Sequence, residues 1–278
     1  MCHSSDPAAG RTHPEPRKPS NFVASNDPAR IQASISSLWP GAMVRVIETV
    51  TGALMPRWSG GRCTSRKSGW HSCVMPESAA EIHARAVAAA SDGRLPAPSM
   101  AQWEIFPWEV VDGAIAPKRL EAPETEVPRE GEPGGKQCFA CSGFPPERVV
   151  WEDEHWVLVA EPEPTGLPLV LVLWTREHFD VGGFDDEHAS ELGRISNRLV
   201  RILEAMPGIG RAHVNRWGDG SSHSHVWFFA RPQGFDQIRG SYAVEWDEIL
   251  PPVPEDVWRQ DLHTVATKLA NWGGTARA

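Results

Sequence analysis

The 278-residue sequence lacks the features that mark membrane and secreted proteins. Its longest uninterrupted apolar run is the eight residues 167–174, whereas a membrane-spanning helix needs about 20. The N-terminus, Met-Cys-His-Ser-Ser-Asp, has neither the basic start nor the apolar stretch of a secretory signal. The five cysteines include one close pair, Cys138 and Cys141, which argues against a disulfide scaffold. These absences predict a protein of the reducing cytoplasm without a membrane segment.

Basic residues are also scarce: 27 Lys and Arg stand against 36 Asp and Glu, for a net charge of -9. Residues 1–74 carry nine basic and four acidic residues, a net of +5, so the remainder has a net of -14. A general nucleic-acid binder needs a basic face, so the acidic body argues against that class. A local pocket for one phosphate group remains compatible with this charge.

The sequence divides into four segments. Residues 1–74 have no apolar periodicity and are predicted to form a disordered tail. In residues 75–137, a capping-box pattern at Ser78 and Glu81 opens an Ala-rich helix, which a Pro-rich, extended arm follows. Residues 138–250 carry dense strand and helix signals and are predicted to form the main domain. A C-terminal helix is expected within residues 251–278.

The main domain has the pattern of an α+β fold. Residues 149–151 and 156–160 predict a hairpin, and residues 167–174 predict a buried central strand. A long helix follows between Asp185 and Met206, with apolar residues at spacings of three and four. Residues 211–216 and 223–230 predict two more strands. We therefore expect a mainly antiparallel sheet with the long helix packed on it.

Two histidines lie at alternate positions of the last predicted strand, which begins His223-Ser-His225-Val-Trp227. Alternate residues of a strand share a face, so both imidazoles are expected to point the same way. The preceding segment, Gly-Asp-Gly-Ser-Ser at residues 218–222, is called the glycine-rich loop, and it can offer backbone N–H groups to an anion. This combination favours a shared catalytic or ligand-binding role over two histidines that are buried and hydrogen-bonded or simply exposed.

The cysteine pair, Cys138-Phe-Ala-Cys141, has three interpretations. It can be half of a zinc site, a redox dithiol, or two thiols without a function. It lies in a polar segment before a strand rather than at a helix start, which weakens the redox interpretation. Zinc would need two further ligands, and several histidines follow downstream near predicted strand ends.

The order of these motifs resembles the histidine-triad (HIT-like) superfamily, which includes nucleotide hydrolases and the galactose-1-phosphate uridylyltransferase branch. The family signature is His-x-His-x-His, or His-x-His-x-Gln in the transferase branch, followed by apolar residues. Here the strand of residues 167–174 precedes His178, and the long helix and Asn215 precede the glycine-rich loop. The Trp-rich arm, C-x-x-C and His-x-His-x-Trp are also similar to an actinobacterial HIT-like group.

The resemblance implies roles for particular residues. His225 resembles the histidine that attacks the α-phosphorus and forms a nucleotidyl-histidine. The residues that correspond to the phosphate-binding and substrate-binding positions are Asn215, Gly220, Ser221, Ser222, Trp227 and Arg231. The set that corresponds to the zinc ligands of some members is Cys138, Cys141, His178 and His223. The resemblance also allows a homodimer.

Trp227 departs from the family pattern, because it stands where members carry the third histidine or a glutamine. An indole N–H can donate a hydrogen bond but cannot relay a proton. An alternative register, with Ser221, His223 and His225 as the three positions, would place Arg231 two residues late. Trp217 and Trp227, near the loop and the motif, are candidates to stack on a base.

We therefore expect a HIT-like protein that binds a nucleotide or nucleoside-phosphate compound, with nucleotidyl transfer or hydrolysis through His225. The main alternative is a non-catalytic nucleotide- or ligand-binding protein whose zinc site is structural. A third interpretation is a hydrolase with zinc in the active site. A catalytic zinc needs an open coordination position, and a Cys2His2 set fills all four, which favours a structural zinc.

Overall fold

The structure, a computed structural model, describes residues 75–97 and 106–278. The predicted disordered tail, residues 1–74, lies outside the described residues. Within the described ranges, no helix has the length and apolar character needed to cross a membrane.

The described chain forms four helices, a two-stranded hairpin and a six-stranded sheet. The helices are α1 (Ala79–Ala89), α2 (Asp186–Glu204), α3 (Tyr242–Ile249) and α4 (Glu255–Ala270). The strands are β1 (Trp108–Val111), β2 (Ala114–Pro117), β3 (Val149–Glu152), β4 (Trp156–Ala160), β5 (Val170–Thr175), β6 (Ile209–Asn215), β7 (His225–Pro232) and β8 (Thr275–Ala276). The large sheet has the order β6-β7-β5-β4-β3-β8, and every neighbouring pair is antiparallel. The predicted α+β fold with a mainly antiparallel sheet is confirmed.

One face of the sheet packs against α2 and α4 and forms the main core. The predicted apolar stripe of α2 is confirmed, since Ile195, Leu199 and Ile202 are buried in this core. The Asp185 side chain caps the helix by accepting a hydrogen bond from the backbone N–H of His188 at 2.8 Å. Burial of this stripe fixes which face of β5 and β7 remains available for a site.

The opposite face of the sheet is only partly covered. A smaller cluster there joins Val170 and Phe229 of the sheet to Ala243 of α3, and Ala86 of α1 packs against it. The capping box that begins α1 is confirmed: the backbone N–H of Glu81 donates to Ser78 Oγ, and the N–H of Ser78 donates to Glu81 Oε2. The part of the sheet between α3 and the glycine-rich loop stays open.

The segment between α1 and the main domain is more ordered than the predicted extended arm. Residues 108–117 form the β1–β2 hairpin, whose Asp112-Gly113 turn has φ values of +51° and +79°. Positive φ at both central residues is the conformation of a type I′ turn, one of the two common two-residue hairpin turns. Further along, Glu130 pairs with Ser221 of the glycine-rich loop in a parallel bridge. This bridge fixes the arm against the loop.

Several predicted elements differ from the structure; the central strand predicted at residues 167–174, for example, spans Val170–Thr175. The strand predicted at residues 223–230 begins at His225, so His223 lies in the turn before β7. The C-terminal helix predicted within residues 251–278 ends at Ala270, and Trp272 beyond its end is 47% exposed. Residues beyond α4 were not expected to form a strand, yet β8 pairs with β3 at the edge of the sheet.

Candidate functional site

Two cysteines and two histidines converge beside the end of β5. The ligand atoms of Cys138, Cys141, His178 and His223 all lie within 4.8 Å of one another. Cys138 Sγ is 3.3 Å from His223 Nδ1, and Cys141 Sγ is 3.2 Å from His178 Nδ1. A tetrahedral zinc site with these ligands has edges of roughly 3.3–3.8 Å. The donor set and its shortest sulfur–nitrogen distances therefore suit a tetrahedral metal ion, although the four ligand atoms are spread over up to 4.8 Å.

Local structure explains why the two thiols face the same way. Successive backbone bonds from Ser142 N–H to Phe139 O and from Gly143 N–H to Ala140 O wind the chain into a tight 3-10 turn. Partial desolvation of the Cys141 thiol, together with the neighbouring Cys138, raises the pKa of Cys141. A metal that binds here would displace the thiol protons, as thiolate coordination requires.

Hydrogen bonds set the tautomers of both histidines in the cluster. His223 Nε2 lies 2.8 Å from the carbonyl oxygen of Thr175, which can only accept, so Nε2 carries the proton. Ser222 Oγ donates to the Glu130 carbonyl at 3.0 Å and therefore accepts from His178 Nε2 at 3.3 Å. In both rings the Nδ1 lone pair is left facing the sulfur atoms. Burial lowers the pKa of His223, which favours this neutral form.

The arm closes over the cluster on one side. A Cβ atom built at Gly131 would lie 2.4 Å from His178 Cε1, and Gly131 has a φ of +87°. Only glycine fits such a close approach in this backbone conformation. The Glu130 carbonyl, which accepts from both Ser222 N–H and Ser222 Oγ, holds the same turn in place.

His225 is separate from the cysteine cluster, although it follows His223 by two residues. Its Nδ1 lies 2.8 Å from the His223 carbonyl oxygen, an acceptor, so Nδ1 carries the proton. Its ring stacks on Trp174 with centroids 4.5 Å apart and an interplanar angle of 23°. Nε2 has no hydrogen-bond partner among the described residues. A neutral His225 therefore has an available lone pair on Nε2.

His225 lines a cavity of about 740 Å³ between the open face of the sheet and α3. One wall carries aromatic side chains: Trp217, Trp227 and Phe229. Gly220 of the glycine-rich loop lies at the edge. A cavity of this size, with a few polar groups on an apolar wall, matches the dimensions of a small-molecule site.

An ion cluster anchors the glycine-rich loop. Arg129 of the arm donates to the Gly218 carbonyl and to Asp180 Oδ2, both at 2.8 Å, and Arg216 also donates to Asp180. Partial burial acts to raise the pKa of Asp180, but the hydrogen bonds from Arg129 and Arg216 outweigh it and hold the pKa below its usual value. The loop is therefore tied to the arm and to the segment after β5.

The structure brings together only some of the residues predicted to bind substrate. Gly220 and Trp227 line the cavity with His225. Asn215, on the neighbouring strand β6, is the backbone pairing partner of Trp227 on β7.

The other three lie elsewhere. Ser222 is buried against Glu130 and His178, and Ser221 Oγ accepts from the His223 N–H at 3.2 Å. Arg231 donates to the carbonyls of Pro232 and Phe235 and lines a different, polar pocket at the far end of β7.

Sequence reasoning missed two contributors to this region. Glu130 and Gly131 close on the cysteine cluster, and the acidic residues of α3 form the second wall of the cavity. The spacing of Glu245 and Glu248, one helical turn apart, was a visible signal for an acidic helix face. Which surface that face meets depends on tertiary packing.

Comparison with known proteins returned solved structures but no sequence match: no protein-family model and no curated protein matches the chain. A hypothetical histidine triad nucleotide-binding protein from Sulfolobus tokodaii is 15% identical, with a TM-score of 0.33 over 45% of this chain and 84% of that one.

Two further histidine triad structures resemble the chain. A protein from Bradyrhizobium japonicum is 13% identical, with a TM-score of 0.36 over 44% of this chain and 89% of that one. A zinc-bound histidine triad family protein from Mycobacterium smegmatis is 16% identical, with a TM-score of 0.32 over 43% of this chain and 84% of that one.

Proposed function

We propose that this protein binds a nucleotide or nucleoside-phosphate compound and that His225 attacks its phosphorus to form a nucleotidyl-histidine. The observation that carries the proposal is the fixed tautomer of His225 at the cavity wall. Nδ1 is held by the His223 carbonyl, and Nε2 is left with a free lone pair. Neutral imidazole in this arrangement is a competent nucleophile near neutral pH.

The proposed step forms a bond between Nε2 and phosphorus and breaks the bond from phosphorus to the leaving group. The leaving group departs with the bonding electron pair, and the positive charge that develops on the imidazole is stabilised by the His223 carbonyl oxygen. In a second step the oxygen of water (hydrolysis) or of an alcohol (transfer) bonds to phosphorus and loses its proton to solvent, while the bond from phosphorus to Nε2 breaks and its electron pair returns to the imidazole. The Gly220 edge of the loop lies on the same cavity, where backbone N–H groups can face the phosphate.

The cysteine cluster is proposed to hold one structural zinc ion. When bound, the ion would cross-link the cysteine turn, the segment after β5 and the turn before β7, and would supply folding free energy rather than chemistry. The four side chains occupy all four tetrahedral positions, so a substrate would find no open position at the metal. This arrangement argues against the metal-dependent hydrolase.

A non-catalytic nucleotide-binding protein is the second candidate, and Trp227 favours it. Its indole stacks on Phe229 with centroids 5.8 Å apart, in the position of the family's third histidine. No imidazole other than His225 lines the cavity within the described part of the chain. Without a second imidazole to protonate the leaving group, catalysis would depend on a leaving group that is stable without a proton or is already protonated when it binds.

The proposal is tested by incubating the full-length protein with nucleotide sugars, dinucleotides and nucleoside phosphoramidates, followed by denaturing mass spectrometry. We expect at least one compound to add the mass of a single nucleotidyl group. Binding of a nucleotide without any adduct would support the non-catalytic alternative. Neither binding nor adduct, with any compound, would contradict both.

Replacing Trp227 by histidine should raise turnover. A third imidazole beside His225 could protonate the leaving group, and general acid catalysis contributes about 10²–10⁴-fold. We expect hydrolysis of a nucleoside phosphoramidate to rise at least about tenfold in Trp227→His. Trp272→His replaces an exposed tryptophan that does not line the cavity; it is the matched control and should leave the rate unchanged. Equal rates in wild type and both variants would exclude a proton-transfer deficit at position 227.

A further inference from the structure

The wall of the cavity opposite β7 is acidic. It contains Glu245, Asp247 and Glu248 of α3 and Glu161, which follows β4. Asp219 of the glycine-rich loop adds a fifth carboxyl group. No lysine or arginine lines this cavity within residues 75–97 and 106–278. An anionic compound that filled the whole cavity would therefore meet uncompensated negative charge on this side.

Within the described residues, none of these carboxyl groups forms an ion pair. Arg148 acts on Glu161 only from a distance. Asp247 Oδ1 accepts a hydrogen bond from the Leu167 N–H at 2.7 Å, which leaves its charge unpaired. Burial, with repulsion from Glu161 and Glu248, raises the pKa of Asp247 to about 6. A bound cation would relieve this repulsion.

The facing wall is aromatic rather than polar. Trp227 and Phe229 are stacked with an interplanar angle of 14°, and the Trp217 ring lies 6.5 Å from that of Trp227. The electron-rich faces of tryptophan and phenylalanine attract organic cations. Isolated surface carboxylates would merely be solvated, but here they enclose a cavity together with aromatic rings and His225.

We propose that the compound bound in this cavity carries an organic cation, an ammonium or guanidinium group, between the aromatic wall and the carboxylates of α3. This inference rests on the proposed function, because it places the phosphate of the same compound at the opposite end, beside His225 and Gly220. Glu245 and Glu248 then determine specificity: they admit a phosphate compound with a cationic substituent and repel one with further anionic groups at that end.

The test uses three probes with the same ring and chain but different charge: phenethylamine, 2-phenylethanol and 3-phenylpropionate. Titration calorimetry with the full-length protein at about pH 8, where a primary ammonium stays charged, compares their affinities. We expect phenethylamine to bind at least about tenfold tighter than the alcohol. The propionate should bind more weakly than the alcohol. Equal affinities for the amine and the alcohol would overturn the inference.

A paired substitution locates the effect. In Glu245→Gln/Glu248→Gln, both exposed positions of α3, the preference for the amine should fall by about tenfold or more. Glu163→Gln removes an exposed carboxylate that does not line the cavity and is the matched control. An unchanged preference in the double variant, or an equal loss in the control, would contradict the assignment to α3.

The affinity for phenethylamine should also depend on pH. A bound cation is attracted by ionised carboxylates, so the affinity for phenethylamine should be highest above pH 7. It should decrease as the pH falls through about 6, because Asp247 takes up a proton there. The titratable groups that line the cavity are Glu161, Asp219, His225, Glu245, Asp247 and Glu248. Protonation of any of them weakens attraction or adds repulsion, so all act in the same direction. Affinity that rises on acidification would contradict the inference.

The two proposals fail separately. If the amine binds selectively but no compound gives a nucleotidyl adduct, the cation site is supported and the proposed catalytic role of His225 is contradicted. Adduct formation at equal rates from compounds with cationic and neutral substituents would support His225 and overturn the cation site.

Discussion

Serine at both Cys138 and Cys141 is expected to remove one bound zinc ion per chain and to destabilise the protein severely. The cluster joins three segments of the chain: the cysteine turn that follows the arm, the segment after β5 and the turn before β7. Zinc binding at such a site contributes directly to the folding free energy. We expect the melting temperature to fall by roughly 10 °C or more. Elemental analysis and thermal denaturation of the purified proteins measure both effects.

The other three cysteines provide the matched control. Cys2, Cys63 and Cys73 lie outside the described residues, and their triple replacement by serine should change neither zinc content nor melting temperature. A metal-free wild-type protein whose melting temperature is insensitive to Cys138→Ser/Cys141→Ser would contradict the structural zinc. A reversible disulfide between these two cysteines in the purified protein would instead support a redox dithiol.

Asparagine at position 225 is expected to abolish turnover. The asparagine amide can still donate to the His223 carbonyl, so the local geometry is preserved, but it offers no nucleophilic nitrogen. We expect kcat to fall by at least about 1000-fold, because removal of a covalent nucleophile is not compensated by other groups. Zinc content and melting temperature should stay at their wild-type values, since His225 is not part of the cysteine cluster.

A neighbouring histidine supplies the control for this substitution. His213 lies on β6 and pairs with Phe229 rather than lining the cavity. His213→Asn should keep turnover within a few-fold of wild type. Equal losses in both variants would point to damage of the sheet rather than to loss of a nucleophile. Full activity of His225→Asn would exclude the nucleotidyl-histidine.

The parts of the fold that could be predicted from sequence depend on local periodicity. The α2 stripe, the β3–β4 hairpin and the capping box of α1 each follow from residues close in sequence, and the structure confirms all three. The grouping of Cys138 and Cys141 with His178 and His223 came from a family resemblance. The structure brings these four side chains together, because the arm pairs with the loop before β7.

The unpredicted parts depend on contacts between distant segments. β8 is only two residues long and has no strand signal of its own, so its pairing with β3 is visible only in three dimensions. The acidic face of α3 becomes part of a site only where the helix packs over β7. Arg231 shares a strand face with His225, but it lies six positions further along β7, beyond the cavity. The β1–β2 hairpin is the exception, because its Asp-Gly turn was a local signal.

The central claim divides two histidines between two tasks: His223 belongs to the metal site, and His225 attacks phosphorus. Native mass spectrometry of wild type and His225→Asn, after incubation with a reactive nucleoside phosphate, measures the bound zinc and the nucleotidyl group on the same protein molecule. The account predicts that wild type carries one zinc and one nucleotidyl group, whereas His225→Asn carries one zinc and no nucleotidyl group. Loss of zinc from His225→Asn, or a nucleotidyl group that persists on it, would contradict the account.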